Sequence, residues 1–285
     1  MSSMSDETLL HIALESAKKA GVEVMKYYRD QSFTAELKAD KSPVTSADIA
    51  ANDILMDQLK SLTPDIPIIS EEVGTVPLAE RKNWQRYWLL DPIDGTGEFI
   101  VGSGDFAVNI ALIDHGWPSI GVIHAPDHHL TYFAQNHLGA FKDYHFNANA
   151  QQSQSSHQIH VAQYQAQRRI NIAISRRQQL SLMEQYLSND FDFDHIALGS
   201  CSLKNCLIAE GGADCYLRIG VTGEWDTGAS QCILEQAGGT IVDSEFNPLS
   251  YNKRESLLNP DFLSLGNQNI PWQKIIKAHR QVYSC

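Results

Sequence analysis

The sequence predicts an α+β first half joined to an α/β second half, and three observations carry that expectation. Two amphipathic helical stretches open the chain, over residues 6 to 28 and again within "TSADIAANDILMDQLK". Short apolar runs broken by "HGWP" and "PDHH" follow, as strands joined by turns do. Beyond residue 158 strand-like and helix-like segments alternate.

In the first helix Leu10, Leu14, Ala17, Val24 and Tyr28 recur near helical spacing, and Ser5 can cap it. The second takes Thr45 or Ser46 as its cap, with Ala47, Ala51, Ile54, Leu55 and Leu59 as the apolar face. "DIPIIS" reads as a short strand ending at Glu71 and Glu72. The runs "RYWLL", "FAVNIALID", "SIGVIHAP" and "LTYFAQ" form a largely antiparallel sheet, one face of which the opening helices cover. Residues 146–158, "FNANAQQSQSSHQ", read as an exposed loop or boundary, dividing an N-terminal α+β subdomain (1–150) from a C-terminal α/β subdomain (151–285). In the latter, "RINIAIS", "HIAL", "CYLRI" and "TIVD" are strands, while "QQLSLMEQYL", "SLKNCLIAEGG" and "TGASQCILEQAGG" are helices.

Composition narrows the function. With 43% hydrophobic and 20% charged residues the chain is an ordinary globular protein. No apolar run reaches the ~18 residues of a membrane span, and the start lacks a basic and apolar leader, which points to the cytoplasm. A net charge of −12 argues against a nucleic-acid groove or an anionic membrane surface, both of which need clustered Lys and Arg. It leaves a small polyanionic substrate open, provided metal ions reverse the local sign. Five cysteines without a C-x-x-C pair read as reduced thiols.

The chemistry concentrates in carboxylates. In "WLLDPIDGTGEFI" an apolar run meets Asp91 and Asp94, with Pro92 fixing the turn between them. Gly95 allows close approach of backbone amides to an anion, and Thr96 adds a hydroxyl; a plain Asp-Gly turn is the simpler reading. Glu71 and Glu72 are adjacent on an extended chain and face opposite sides, so one of them at most reaches a shared site. Asp226 in "GEWDTGASQC" and Asp48 in "TSADIA" each stand at a helix start, where an acid also serves the helix dipole. Glu71, Asp91, Asp94 and Asp226 crowded together would repel one another. Two divalent cations would neutralise them, and hard oxygen donors select Mg²⁺ or Mn²⁺.

This spaced set, from "VTSAD" through Glu-Glu and "DPIDGT" to "WD" and the later Gly-Gly, resembles the lithium-sensitive, Mg²⁺-dependent phosphatases of the inositol monophosphatase superfamily. Within it, "KADKSPVTSADIAAND", "TPDIPIISEE", "SLKNCLIAEG" and "RESLLNP" are most similar to bacterial 3'(2'),5'-bisphosphate nucleotidases. The resemblance implies the sugar-phosphatase fold, a layered αβαβα sandwich. It implies hydrolysis of adenosine 3',5'-bisphosphate to AMP and phosphate by attack of a metal-activated water, with two or more Mg²⁺ ions, and a place in sulfur assimilation. Glu71, Asp91, the Ile93 carbonyl, Asp94 and Asp226 are then the metal ligands, and Glu71, Thr96 and Asp48 serve the water. Asp94, Asp226, Ile93 and the amides of Gly95 and Thr96 meet the substrate, with Lys204, Arg218 and Gln178 in the nucleotide-binding half. Three departures bear on substrate choice: Gly97 where many relatives have Lys, Gln178 at a histidine position, and "GSCSLK" one residue longer, with Ser200 and Ser202 both open to the serine role. Some relatives associate with the inner membrane at its periphery. An inositol monophosphatase or other sugar-phosphate phosphatase, and a non-catalytic nucleotide-sensing protein, are the competing readings.

Overall fold

Helix α1 (Asp6–Asp30) begins where Ser5, in extended backbone, accepts the Thr8 amide at 3.3 Å. A computed structural model describes the chain over residues 4–39, 41–74, 76–144, 156–165, 168–176 and 180–277. A hairpin of β1 (Ala35–Leu37) and β2 (Pro43–Thr45) leads into α2 (Ser46–Leu62). Of the two expected caps it is Thr45 that serves, its hydroxyl accepting the Ala47 and Asp48 amides. Then come β3 (Ile68–Ser70), α3 (Leu78–Arg81), β4 (Arg86–Asp94), α4 (Thr96–Val101), β5 (Ala107–Asp114), β6 (Trp117–Ala125), β7 (Leu130–Gln135), β8 (Gly139–Tyr144) and β9 (His157–Ile159). These strands form one sheet in the order β3 to β9, parallel between β3 and β4 and antiparallel elsewhere.

The second half contributes β10 (Ile170–Ser175), α5 (Leu180–Glu184), β11 (Phe193–Leu198), α6 (Cys201–Ala209), β12 (Cys215–Arg218), α7 (Glu224–Gln236), β13 (Thr240–Asp243), β14 (Phe262–Leu265) and α8 (Trp272–Ile275). Its sheet has the order β11-β10-β12-β14-β13. The first three strands are parallel, as the alternation predicts, whereas β13 and β14 pair antiparallel.

Strand periodicity sorts the residues into layers. Trp88, Leu90, Ile110 and Leu112 face α1 and α2, while Tyr87, Leu89, Ala111 and Ile113 join a core with α6 and α7 that continues to Ala173, Tyr216 and Ile241 of the second sheet. The far face of that sheet packs Ile172, Leu217 and Leu263 on Met183, Trp272 and Ile275. The result is the expected αβαβα sandwich. Because β4 and β5 are buried on both faces they read as unbroken apolar runs. Each large apolar side chain so buried contributes about 1.5–3 kcal/mol.

The middle core belongs to both halves, and β9 extends the first sheet to Ile159, past the boundary drawn at residue 150. Most of the expected loop 146–158 lies outside the described residues; His157 and Gln158 are in β9. Gly121 sets how closely α7 approaches: a Cβ there would lie 2.3 Å from the Ala229 carbonyl oxygen. That close seat brings the start of α7 to the end of β4. Cys201, Cys206, Cys215 and Cys232 are free and buried, and Cys285 lies outside the described residues.

Candidate metal and phosphate site

Two aspartates an odd number of positions apart on a regular strand point to opposite faces. Here Asp91 pairs with Asn109 and Asp94 with Ala107, so β4 spends three positions where β5 spends two. This one-residue β-bulge, with Pro92 inside it where no ladder donor is required, turns both carboxylates to the face of α7. The chain then reverses at Gly95, whose φ of 93° is left-handed, and enters α4 at Thr96. Asp226 arrives from α7, where its Oδ2 accepts the Gly223 amide at 2.6 Å. Oxygens of Asp91, Asp94 and Asp226 lie within 4.8 Å of one another.

Their environments differ. Asp91 is 1% exposed, and neither of its oxygens receives a hydrogen bond from an amide, hydroxyl or ammonium among the described residues; the Glu71 carboxyl is in hydrogen-bonding contact with it. Burial pushes its carboxyl well above the usual range, and the charges of Glu71, Asp94 and Asp226 push it further. Asp226 is raised for the same reasons, by burial and then by Asp94 and Glu71. Carboxylates buried without donors require a positive charge or a proton. A hard divalent cation among three carboxylate oxygens fits this donor set.

Asp94, by contrast, is clamped by the start of α6. Its Oδ2 accepts the Ser200 hydroxyl at 2.5 Å, the Ser202 hydroxyl at 2.5 Å and the Ser202 amide at 2.6 Å; its Oδ1 accepts only the Cys201 amide at 3.3 Å. Both candidate serines therefore reach the same oxygen, leaving Oδ1 the freer one. Ser200 also caps α6 through the Leu203 amide, so Ser202 is the cleaner probe. Ser202→Ala is expected to raise the metal concentration for half-maximal phosphate release about tenfold or more, the usual cost of an outer-shell partner. An unchanged metal titration would show that Asp94 is oriented without it.

The remaining sequence-predicted residues fall into distinct places. The Glu71 carboxylate stands beside the triad, where its charge is the strongest on Asp91, but it is bonded to Lys38 Nζ at 2.8 Å. Glu72 binds the same ammonium at 2.8 Å, so the two glutamates do not face opposite sides. The reason is that β3 ends at Ser70 and the chain is already turning. Burial raises the Glu71 carboxyl, which Lys38 partly offsets. Asp48 is buried; its Oδ2 accepts the Thr45 amide and hydroxyl, and its Oδ1 accepts the Thr96 hydroxyl at 3.1 Å. Burial raises its carboxyl, with the Thr45 bonds opposing. Thr96 shares its single proton with the Ile93 carbonyl, also at 3.1 Å.

Lys204 is 1% exposed, and its ammonium donates to the carbonyls of Leu198, Gly199 and Ser200. Burial lowers its pKa. It holds the loop that carries Ser200 from inside instead of facing a ligand directly. Arg218 is half-buried at the end of β12, bonded to the Val221 carbonyl at 2.9 Å, and its charge acts on Asp226. Gln178 lies outside the described residues. Beside Gly97, in the same turn, Glu98 meets Arg176 at 3.2 Å, and Arg176 also reaches Asp105 at 2.6 Å. Asp105 in turn accepts the Gly199 amide at 2.8 Å, tying the α4 segment to the second half.

Sequence reasoning does not single out Lys38, Asp105 or Asn109. Asn109 alone left a visible signal, as a polar residue inside the apolar run "FAVNIALID".

The model of the inositol monophosphatase family matches residues 5–281. The 3'(2'),5'-bisphosphate nucleotidase CysQ of Aggregatibacter actinomycetemcomitans is 40% identical over 274 residues, 95% of this chain and 97% of that protein. The enzyme of the same name from Escherichia coli K12 is 41% identical over 255 residues, 89% of this chain and 98% of its own. Among solved structures, CysQ from Bacteroides thetaiotaomicron superposes with a TM-score of 0.77 at 33% identity, covering 92% of this chain and 98% of that one.

Proposed function

The chain belongs to the inositol monophosphatase family, and from that membership we infer that it is a 3'(2'),5'-bisphosphate nucleotidase, hydrolysing adenosine 3',5'-bisphosphate to AMP and phosphate. The observation that carries this reading is near-full-length similarity at 40% identity to a nucleotidase of that name, in a chain whose acidic triad is intact. No helix among the described residues is long and apolar enough to cross a membrane. We locate the protein in the cytoplasm, with which its free thiols agree. Lithium sensitivity and service in sulfur assimilation belong to the same proposal.

Asp91, Asp94, Asp226, Glu71 and the Ile93 carbonyl would hold two or more Mg²⁺ ions, or Mn²⁺ in their place. Such ions supply Lewis acidity and a water acidic enough to attack phosphorus at neutral pH. The chain's own groups do the rest. Asp48 accepts the Thr96 hydroxyl proton, which leaves a lone pair of that oxygen to receive a proton from the attacking water. The raised Asp48 carboxyl is suited to relay it. The amides of Gly95 and Thr96, at a helix start where amides lack intrahelical partners, fix the phosphate. Arg218 neutralises the substrate's second phosphate, and Lys204 acts by keeping Gly199 and Ser200 in place.

A panel of phosphate-release assays tests the proposal. Adenosine 3',5'-bisphosphate is expected to be cleaved fastest, with dependence on Mg²⁺ and inhibition by Li⁺. Faster release from inositol 1-phosphate overturns the substrate assignment. Nucleotide binding by calorimetry without phosphate release in Mg²⁺ overturns the enzyme.

A further inference from the structure

Asn109 is the one polar side chain in β5 before its final aspartate, and it sits directly across from Asp91. Cross-strand partners share a face, with Cβ atoms about 4.5–5.5 Å apart. Asn109 is 1% exposed, and both its amide nitrogen and its amide oxygen are buried without a hydrogen-bond partner. Asn109 and Asp91 thus place four buried polar atoms side by side that no amide, hydroxyl or ammonium among the described residues satisfies; the Asp91 carboxyl meets only the acid of Glu71, and the Asn109 amide meets nothing. An apolar residue of the same shape would fill the position without leaving polar atoms unsatisfied. Its neighbours on that face, Ala107 and Ala111, are such residues.

We propose that Asn109 is a positioning residue of the cation site: with a divalent ion drawn in by Asp91, its NH₂ donates to the Asp91 carboxylate and fixes which oxygen faces the ion. This rests on the reading of Asp91, Asp94 and Asp226 as cation ligands. The geometry supplies the reason for the amide. A ligating carboxylate needs its non-ligating lone pairs held, and Ser200, Ser202 and Cys201 do this for Asp94. Among the described residues no amide, hydroxyl or ammonium donates to Asp91, which meets only the Glu71 carboxyl, and Asn109 is its neighbour on the next strand. A neutral donor does this without adding charge to a crowded acidic cluster, as a lysine or a second carboxylate would.

The test is thermal unfolding of the full chain, titrated with Mg²⁺ after chelation, for the wild type, Asn109→Leu and Asn109→Ala. The wild type is expected to gain stability with Mg²⁺. In Asn109→Leu the metal-free protein is expected to unfold at or above the wild-type temperature, because the orphaned amide is gone. Its Mg²⁺ midpoint is expected to rise about 10- to 100-fold. A merely structural asparagine cannot give both signs at once. Asn109→Ala, which leaves room for repacking, should shift the midpoint in the same direction should the leucine variant not fold. Ser264→Ala, which removes another buried unpartnered hydroxyl in the second sheet, should leave the midpoint unmoved. A folded Asn109 variant with the wild-type midpoint overturns the inference while the cation site stands. A wild type indifferent to Mg²⁺ overturns the cation site and the inference with it.

Discussion

Asp91→Asn is expected to raise the unfolding temperature of the metal-free protein and, at the same time, to abolish its stabilisation by Mg²⁺ and nearly all of its hydrolysis. The substitution keeps the shape of a fully buried side chain and removes a charge that meets Glu71, Asp94 and Asp226 without any donor of its own. Metal ligation is worth several kcal/mol to the transition state, and at about 1.4 kcal/mol per tenfold the loss in turnover is about 10³ or more. The pH dependence carries the same signature. Asp91 and Asp226 have folded-state pKa values above those of the unfolded chain, so they favour the metal-free fold most below the ordinary carboxylate range. That contribution is lost as pH rises through the raised values. Cations bind the deprotonated form, so the Mg²⁺-induced rise in unfolding temperature should grow as pH rises above the ordinary carboxylate range. In Asp91→Asn the growth should be largely absent. An unfolding temperature that falls in the metal-free variant would show that Asp91 is held by something other than its neighbours' repulsion.

Arg81→Leu should destabilise the protein by about 3 kcal/mol or more, the range for breaking a buried charged network. Arg81 is 0% exposed and donates to Val76 O, Asn252 Oδ1, Arg254 O and Glu255 O at 2.5–2.8 Å. Its own carbonyl accepts from Asn252 at 2.7 Å. The same Asn252 gives its backbone amide to the buried Glu224 at 3.0 Å, two residues ahead of Asp226 on α7. One guanidinium thus fastens two loops and, through Asn252, the start of the helix that delivers a metal ligand. Urea unfolding should show the lowered midpoint, and the folded fraction should need more Mg²⁺. Leucine tolerated without loss would mean that the carbonyls of residues 254 and 255 find water instead.

Much of this arrangement is legible in the chain. The two opening helices, a cap for each and strands β3 to β7 follow from spacing and turn chemistry, whereas β8 and β9 do not, and the acidic set emerges only with the family resemblance. What the sequence does not display is which distant groups meet. Lys204 looks like a free cation on a helix, yet three carbonyls of the preceding loop enclose it. The serines of α6 bind an aspartate more than a hundred residues upstream. Glu71 and Glu72 read as alternating along a strand, which in fact stops at Ser70 and lets one lysine gather both. Helix α4 escapes notice because it is only six residues long and entered through a glycine.

The bulge between Asp91 and Asp94 makes their spacing a matter of counting. Substitutions at Pro92 or Ile93 can alter how firmly the loop is held, but they leave the tally of residues intact. Were these same residues to run on as a regular pleat without the bulge, Asp94, three positions from Asp91, would point with the Gly95 and Thr96 backbone behind it toward α1 and α2. The acids would all survive in the sequence, and the site would not.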